Sequence, residues 1–373
     1  MILIFIKFII LKNKADMSQQ ILFKEQNEKL FFEKWQNIVE KINASPRYLP
    51  ASLKNYLLIS KNKSLFHSDK SFIYLINNEP VAGVFLPIEK KEDNFIATII
   101  DDYIDAPLLV TRSIEKNVFA LIDNIAKENK LAKIMFLIDP LEKDTVTYNY
   151  LQKYNYLDTS ILSYVIDLEK YGDLLNNCRK GHRCDIKHIL SNKDFKVFFI
   201  DKDNPVYEIH EEYRMLHHKC SGRVTRPKET FDLQFENLKQ GHAVLFGLKY
   251  KGKNIAYSYF EYHTDKAAYT SAADDPDYNE FPLYHTLIFS AMEYLKKRGV
   301  RLLDVEPPCS PSLQVDYYPD QKQLNIASFK AGFGGYFVHN FRGIKYFSKK
   351  IFKEDMKNFV SNYLSSPLAP FYY

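Results

Sequence analysis

The sequence predicts a mixed α/β protein built from two similar units in tandem. Three observations carry that expectation: an order of elements that occurs twice, landmark residues that keep a near-constant spacing between the copies, and a composition typical of folded domains. The chain has 373 residues, 46% hydrophobic and 26% charged. At roughly 150 residues per domain, two units is the simple reading. The 28 Phe and 27 Tyr can fill large cores. This composition excludes a largely disordered chain, a collagen and a disulfide-dense mini-protein.

The first copy begins with apolar residues 72–76, a strand, then Asn77-Asn78-Glu79-Pro80 as a turn and residues 81–86 as the return strand. Residues 95–100 form a third strand. A helix follows over 113–129, with Ile114, Val118, Leu121, Ile122 and Ile125 on one face. The strand 134–138 ends in Asp139-Pro140. In the second copy, residues 244–248 and 255–262 flank the hairpin turn Lys251-Gly252-Lys253, and 267–271 is the third strand. The helix 283–298 turns Leu287, Ile288, Ala291, Tyr294 and Leu295 inward, and Gly299 stops it. The strand 301–305 then ends in Glu306-Pro307. Ala82 and Ala256 are 174 apart, Asp101-Asp102 and Asp274-Asp275 are 173 apart, and Pro107 and Pro282 are 175 apart. Helical segments precede each unit, over 25–42 and 205–240. A basic helix over 174–190 joins them, and an amphipathic helix over 348–363 closes the chain. The expected division is therefore 17–170 for the first unit, 171–193 for the connecting helix and 194–373 for the second unit, which carries the cleft.

The charge balance of +5 is too mild to imply nucleic-acid binding on its own, and no DNA partner is expected. The four cysteines (Cys178, Cys184, Cys220, Cys309) form no CxxC pair, so reduced thiols are expected and no metal site. His210, His217 and His218 lack the acidic pairing of a zinc helix. Residues 1–11 are apolar apart from Lys7, too short to span a bilayer and without a cleavage site. Met17 is the expected true start, with 1–16 a mis-assigned or disordered leader; a membrane-surface anchor is the other reading. With no other long apolar run, a soluble cytoplasmic protein is expected.

The order hairpin, third strand, helix, fourth strand resembles the GNAT acyltransferase core. Two such units, joined by Arg179-Lys180-Gly181-His182-Arg183 and followed by Ile326-Ala327-Ser328-Phe329-Lys330-Ala331-Gly332-Phe333-Gly334-Gly335, resemble the Fem family of aminoacyl and peptidyl transferases. The helix over 283–299 and its strand Leu302-Leu303-Asp304 belong to the same likeness. The resemblance implies a tandem of GNAT-like units, each a mixed central sheet flanked by helices. It implies transfer of an acyl or aminoacyl group onto an amine of a cell-envelope precursor, an amino sugar or a peptidoglycan peptide. The donor would be an acyl-CoA or an aminoacyl-tRNA as co-substrate, with no tightly bound cofactor. Partners would then be a small-molecule or lipid-linked precursor and a tRNA acceptor end, with peripheral membrane contact. Carried over by position, it puts Phe329 and Lys330 in the active centre.

Two departures stand out. The coiled-coil arm of some family members has no counterpart. The loop that cradles a pyrophosphate in acetyl-CoA enzymes is here Asp274-Asp275-Pro276-Asp277-Tyr278-Asn279-Glu280-Phe281-Pro282, with four acids and no Gly, which argues against standard CoA binding there. A binding or scaffold module of surface-polysaccharide synthesis that has lost catalysis is the alternative function.

Amide formation needs an acceptor for the amine proton, a cation or donor for the oxyanion, and two substrates held in register. No GxSxG elbow or catalytic cysteine signature supplies a nucleophile. Lys330 can meet the oxyanion or a donor phosphate. Asp304 and Glu306 stand at a strand end, where open α/β sheets bind ligands, and either takes the amine proton, orients the amine, or serves as a cap or ion pair. Tyr284 and His285 open the helix near those strand ends, as substrate groups or as capping and core residues. Arg179 and Arg183 in the linker, and Arg223 beside Arg226, can hold an anionic substrate or lie on a solvated face. Tyr257 and Tyr259 alternate along a strand and either line a cleft by stacking or fill the core.

Overall fold

The computed structural model describes residues 18–100, 102–142, 148–170, 172–306, 310, 312 and 316–366. The leader 1–16, Asp101, Pro307 and Cys309 lie outside the described residues. Strand β1 (Gln19–Phe23) leads into helices α1 (Glu28–Ile42) and α2 (Pro50–Asn62). Asn27 caps α1 by accepting from the Leu30 N–H, and Phe31, Trp35, Ile38 and Val39 bury one face of it. Strands β2 (Phe66–Asp69) and β3 (Phe72–Ile76) pair with β5 (Pro87–Lys91) and β4 (Glu79–Val84) in one continuous hairpin. Ser71 bonds the Leu86 N–H where the arms pass from one sheet to the next. Next come β6 (Asn94–Ala97), β7 (Ile104–Asp105), β8 (Leu108–Leu109), α3 (Glu115–Glu128) and β9 (Leu131–Leu137), then β10 (Leu157–Asp158) and β11 (Ile161–Asp167).

The linker is two helices rather than the single one expected: α4 (Leu174–Asn177) and α5 (Lys180–Ser191). The break has a cause, because Arg179 is extended and its N–H donates to the Gly332 carbonyl, which ties the linker to a distant segment. Strand β12 (Phe195–Ile200) precedes α6 (Tyr207–Ser221) and α7 (Lys228–Lys239), where the sequence suggested one helical stretch. Gly222, at φ 64, ends α6 in the left-handed conformation that glycine adopts without strain. Strands β13 (Ala243–Tyr250), β14 (Lys253–His263) and β15 (Lys266–Asp274) form a meander, followed by α8 (Leu283–Lys297) and β16 (Leu302–Asp304). The chain ends with α9 (Gln321–Lys330), β17 (Tyr336–Asn340), β18 (Arg342–Tyr346) and α10 (Lys349–Leu364).

The internal repeat is visible in the turns and in the pairing. Asn77 and Asn78 (φ 51 and 64) and Lys251 and Gly252 (φ 48 and 86) close two-residue hairpins with positive φ at both positions, as type I′ turns require. Strand β6 runs parallel to β9, and β15 runs parallel to β16. Helices α3 and α8 make the matching crossovers.

The units are nonetheless not consecutive blocks. Strand β11, expected in the first unit, completes the second sheet by pairing with β16, giving the order β12-β13-β14-β15-β16-β11-β17. Strand β18, from the C-terminal part, completes the first unit's sheet by pairing with β9, in the order β10-β18-β9-β6-β5-β2. The partners Leu157↔Ile344, Ile161↔Asn340 and Val165↔Tyr336 keep one register, so residues 157–167 and 336–346 form a single antiparallel ribbon through both sheets. A third, four-stranded sheet has the order β1-β3-β4-β8. Side-chain contacts reinforce the junction. Asn43 donates to Asp265 at 2.7 Å, and the buried Lys266 ammonium donates to the Asn43 carbonyl at 2.6 Å.

Candidate functional site

Asp139 follows β9 and Glu306 follows β16, the equivalent strands of the repeat, and the Arg47 guanidinium feels the charges of both. Arg47 Nε lies 3.0 Å from Asp105 Oδ1 and 3.7 Å from Asp139 Oδ2. Arg47 and Asp105 border a cavity of about 370 Å³ between the units. Arg47, Tyr56, Asp102 and Tyr103 line it from the first unit, and Arg226, Glu261 and Glu306 from the second.

Glu306 has the left-handed φ of 65, a conformation that costs a non-glycine residue about 1–3 kcal/mol and marks functional sites. Its N–H donates to Asp304 Oδ1 at 2.9 Å, which fixes the turn. Burial raises the Glu306 pKa, while the Lys330 ammonium and the Arg47 guanidinium pull it down and Asp102 and Asp139 push it up. Asp304 is buried behind it, accepts from Ser163 Oγ at 2.9 Å, and is pushed up to about 7 by burial and by the charges of Asp139 and Glu306. Across the cavity, burial raises Glu261 to about 7 despite bonds from Asn237 and Ser52. The cleft therefore holds two carboxyls, Glu261 and Glu306, whose pKa burial raises, beside the guanidinium groups of Arg47 and Arg226, and the Lys330 ammonium adds positive charge acting on Glu306. That combination can accept a proton from an amine and balance a developing negative charge.

The sequence-predicted residues fall into separate groups. Asp304, Glu306 and Lys330 come together, with Lys330 half-buried at the end of α9. Phe329 packs in a ring cluster with His182, His285 and Phe333, at centroid distances of 5.3, 4.8 and 5.3 Å. Arg179 donates to the Ser328 carbonyl at 3.1 Å, and Arg183 donates to the carbonyls of Asn176 and Cys178, so both tie backbone segments together. Tyr284 donates to Asp274 at 2.6 Å and is not one of the residues lining the cavity. Arg223 is exposed, whereas its neighbour Arg226 lines the cleft and reaches Tyr213, Gln234 and Ser271. Tyr257 and Tyr259 are fully buried and belong to the core beneath α6 and α7. Tyr257 also meets a shallower groove of about 800 Å³ beside α6, bordered by Lys219, Lys253 and Asp275.

His182, Asp185 and His285 place their ligand atoms within 4.8 Å of one another. A metal would nonetheless find no free lone pair on His182. Its Nδ1 accepts from Arg179 Nε at 3.1 Å, and its Nε2–H donates to the Phe329 carbonyl at 2.8 Å. In the loop that faces a donor pyrophosphate in acetyl-CoA enzymes, Lys219 and Lys253 both bond Asp275, and Lys219 also bonds Asp277. Asp275 and Asp277 are thus neutralised from within the chain.

Arg47, Asp105, Tyr56, Tyr103 and Glu261 were not singled out by sequence reasoning. Arg47 sits in a single helical turn with no periodicity to flag it, and Glu261 alternates inside an apolar strand. Asp139 did carry a signal, since Asp139-Pro140 and Glu306-Pro307 close equivalent strands of the repeat.

The chain matches no protein-family model and no curated protein sequence. Its fold is shared with several solved structures. The structure of FemX superposes with a TM-score of 0.62 at 14% identity, covering 86% of this chain and 98% of that one. L-PGS from Bacillus licheniformis follows at 0.57 and 12% identity, over 87% and 94% of the two chains. The C-terminal domain of an Agrobacterium fabrum protein provisionally described as a lysylphosphatidylglycerol synthetase gives 0.56 and 11%, over 92% and 99%. The chain thus shares its fold with FemX and with these two proteins.

Proposed function

We propose that the protein is an N-acyltransferase that uses the cleft between the units. It moves an acyl or aminoacyl group from an activated donor, an acyl-CoA or an aminoacyl-tRNA, to an amine of a cell-envelope precursor. The acceptor would be an amino sugar or a peptidoglycan peptide. The observation that carries this reading is Glu306 in the wall of a cavity shared by both units, with Asp304 holding its turn and the Lys330 charge acting on it. The fold shared with FemX supports the reaction class.

In this reading the amine nitrogen attacks the donor carbonyl directly. A C–N bond forms, the amine proton passes to Glu306, and the bond to the tRNA ribose oxygen or the CoA sulfur breaks. The leaving group then takes up a proton. The raised pKa makes Glu306 a better proton acceptor than an ordinary glutamate, and Asp304 anchors the turn that presents the carboxylate. Lys330 balances the oxyanion or a donor phosphate, and Phe329, wedged among rings, positions the end of α9 that carries Lys330. The charge-neutralised loop around Asp275 favours a donor not held there, and so an aminoacyl-tRNA over an acyl-CoA.

Thermal-shift measurements with acyl-CoAs, aminoacyl-tRNA and UDP-sugars, followed by transfer assays with the stabilising donor, test the proposal. Stabilisation by an activated donor and amide formation are expected. Stabilisation by a glycan alone, with no transfer from either donor, would establish the scaffold reading instead.

A further inference from the structure

Helix α10 carries a surface that the cleft chemistry does not use. Its inner face packs down through buried Ile351 and half-buried Asp355, Phe359 and Tyr363. Asp355 pairs with Lys133 at 2.6 Å and accepts from the Tyr346 hydroxyl at 2.9 Å. Tyr318 donates to the Phe359 carbonyl at 2.6 Å, so the helix has a fixed orientation. The opposite stripe runs Lys349, Lys353, Lys357, Val360, Leu364, spaced by four, four, three and four residues, and every member is exposed. Val360 is 50% and Leu364 46% exposed. No carboxylate interrupts this stripe. Lys350 beside it reaches Glu354 only at 3.8 Å, with both side chains largely in solvent.

A helix whose free face carries a row of ammonium groups and then branched apolar side chains suits one class of surface. The headgroups of an anionic leaflet attract the lysines, and the acyl boundary takes the apolar end. We propose that α10 docks the protein on an anionic phospholipid surface. The placement has a structural consequence. Phe359 packs against the small cluster of Tyr103, Leu137 and Ile344, and Tyr103 is also a wall of the cleft. Docking through α10 places this cluster, and with it one wall of the cavity, on the membrane side of the molecule. The docking surface stands independently of the transfer chemistry, but it would let a lipid-linked acceptor reach the cleft without leaving its membrane.

The test is co-sedimentation of the full chain with vesicles of phosphatidylcholine alone and of phosphatidylcholine mixed with phosphatidylglycerol. Binding to the second kind only is expected, and it should weaken with added salt. K353E/K357E should lower that binding by about tenfold or more, given the attraction of each surface lysine for anionic lipid. V360S/L364S should remove the part that resists salt. Circular dichroism melts of both variants verify that the fold is retained, and sedimentation velocity verifies that they stay in the native oligomeric state. No binding to anionic vesicles, or binding unchanged in K353E/K357E, overturns the proposal. A change of oligomeric state in the variants also overturns it and assigns the stripe to a second copy of the chain. Vesicle binding is read without any transfer assay, so failure of the catalytic proposal leaves this result standing.

Discussion

At the scale of single residues, the cleft is an arrangement of charges whose balance can be altered one side chain at a time. Removing the Glu306 carboxylate in Glu306→Gln should slow transfer by about a hundredfold or more with the melting temperature retained, as expected for loss of a general base. Near-normal turnover would assign the proton to another group. The acid limb of the pH–rate profile should lie above an ordinary glutamate, because burial raises this pKa. Lys330 pulls the value down, so Lys330→Met should move the limb to higher pH, besides its effect on rate. Asp102 pushes it up, so Asp102→Asn should move the limb the other way. Equal shifts of one sign would show that neither charge acts on Glu306. Arg47 is a different case, since it answers Asp105 and Asp139 from within the junction. Arg47→Met leaves two buried carboxylates without their cation and should cost about 3 kcal/mol, read as a lower urea midpoint. Lys330 and the two strand-end acids were legible in the sequence because strand ends and a family motif flag them. Arg47 and Glu261 were not, because only the packing of one unit on the other gives them a role.

At the scale of elements, α5 and α9 hold each other through His182. The His182 ring is fixed by Arg179 and by the Phe329 carbonyl, and a Cβ added at Gly332 would stand 2.3 Å from its Nε2. Gly332→Ala should therefore destabilise by about 1–3 kcal/mol and disturb the end of α9. An unchanged melting temperature would show that the ring moves aside. Helix α6 buries His210 against Tyr213, Phe235 and Tyr259, and burial lowers its pKa to about 4. Unfolded, the same ring titrates near 6.5. Between these values the unfolded chain binds the extra proton, so this histidine removes stability as pH falls from 6.5 towards 4 and no further below. His210→Phe should flatten the pH dependence of the urea midpoint over that interval by one proton's worth; an unaltered slope would mean the ring is already solvated. Helices α1 and α8 could be read from apolar spacing and their end signals. The breaks in the linker and between α6 and α7 could not, because long-range partners such as Gly332, or a loop reaching Ser271, decide them.

At the scale of the whole molecule, the repeat was readable as two copies of one order, and the matching turns at 77–78 and 251–252 bear the spacing out. The exchange of strands was not readable, since β11 and β18 have the same apolar alternation whichever sheet receives them. The exchange makes the halves interdependent, and the full chain should unfold in one calorimetric transition. Two well-separated transitions would mean that the junction contributes little. A chain ended at residue 335 should fold poorly, because it removes β18 from beside β9 and β17 from beside β11. The same ribbon sets an order on biosynthesis. A ribosome delivers β2 to β9 long before β18, so the growing first sheet keeps a bare hydrogen-bonding edge while some two hundred further residues are translated. Until the last part of the chain emerges, that edge is open to any passing strand, and a nascent-chain chaperone that shields it would govern the yield of native protein.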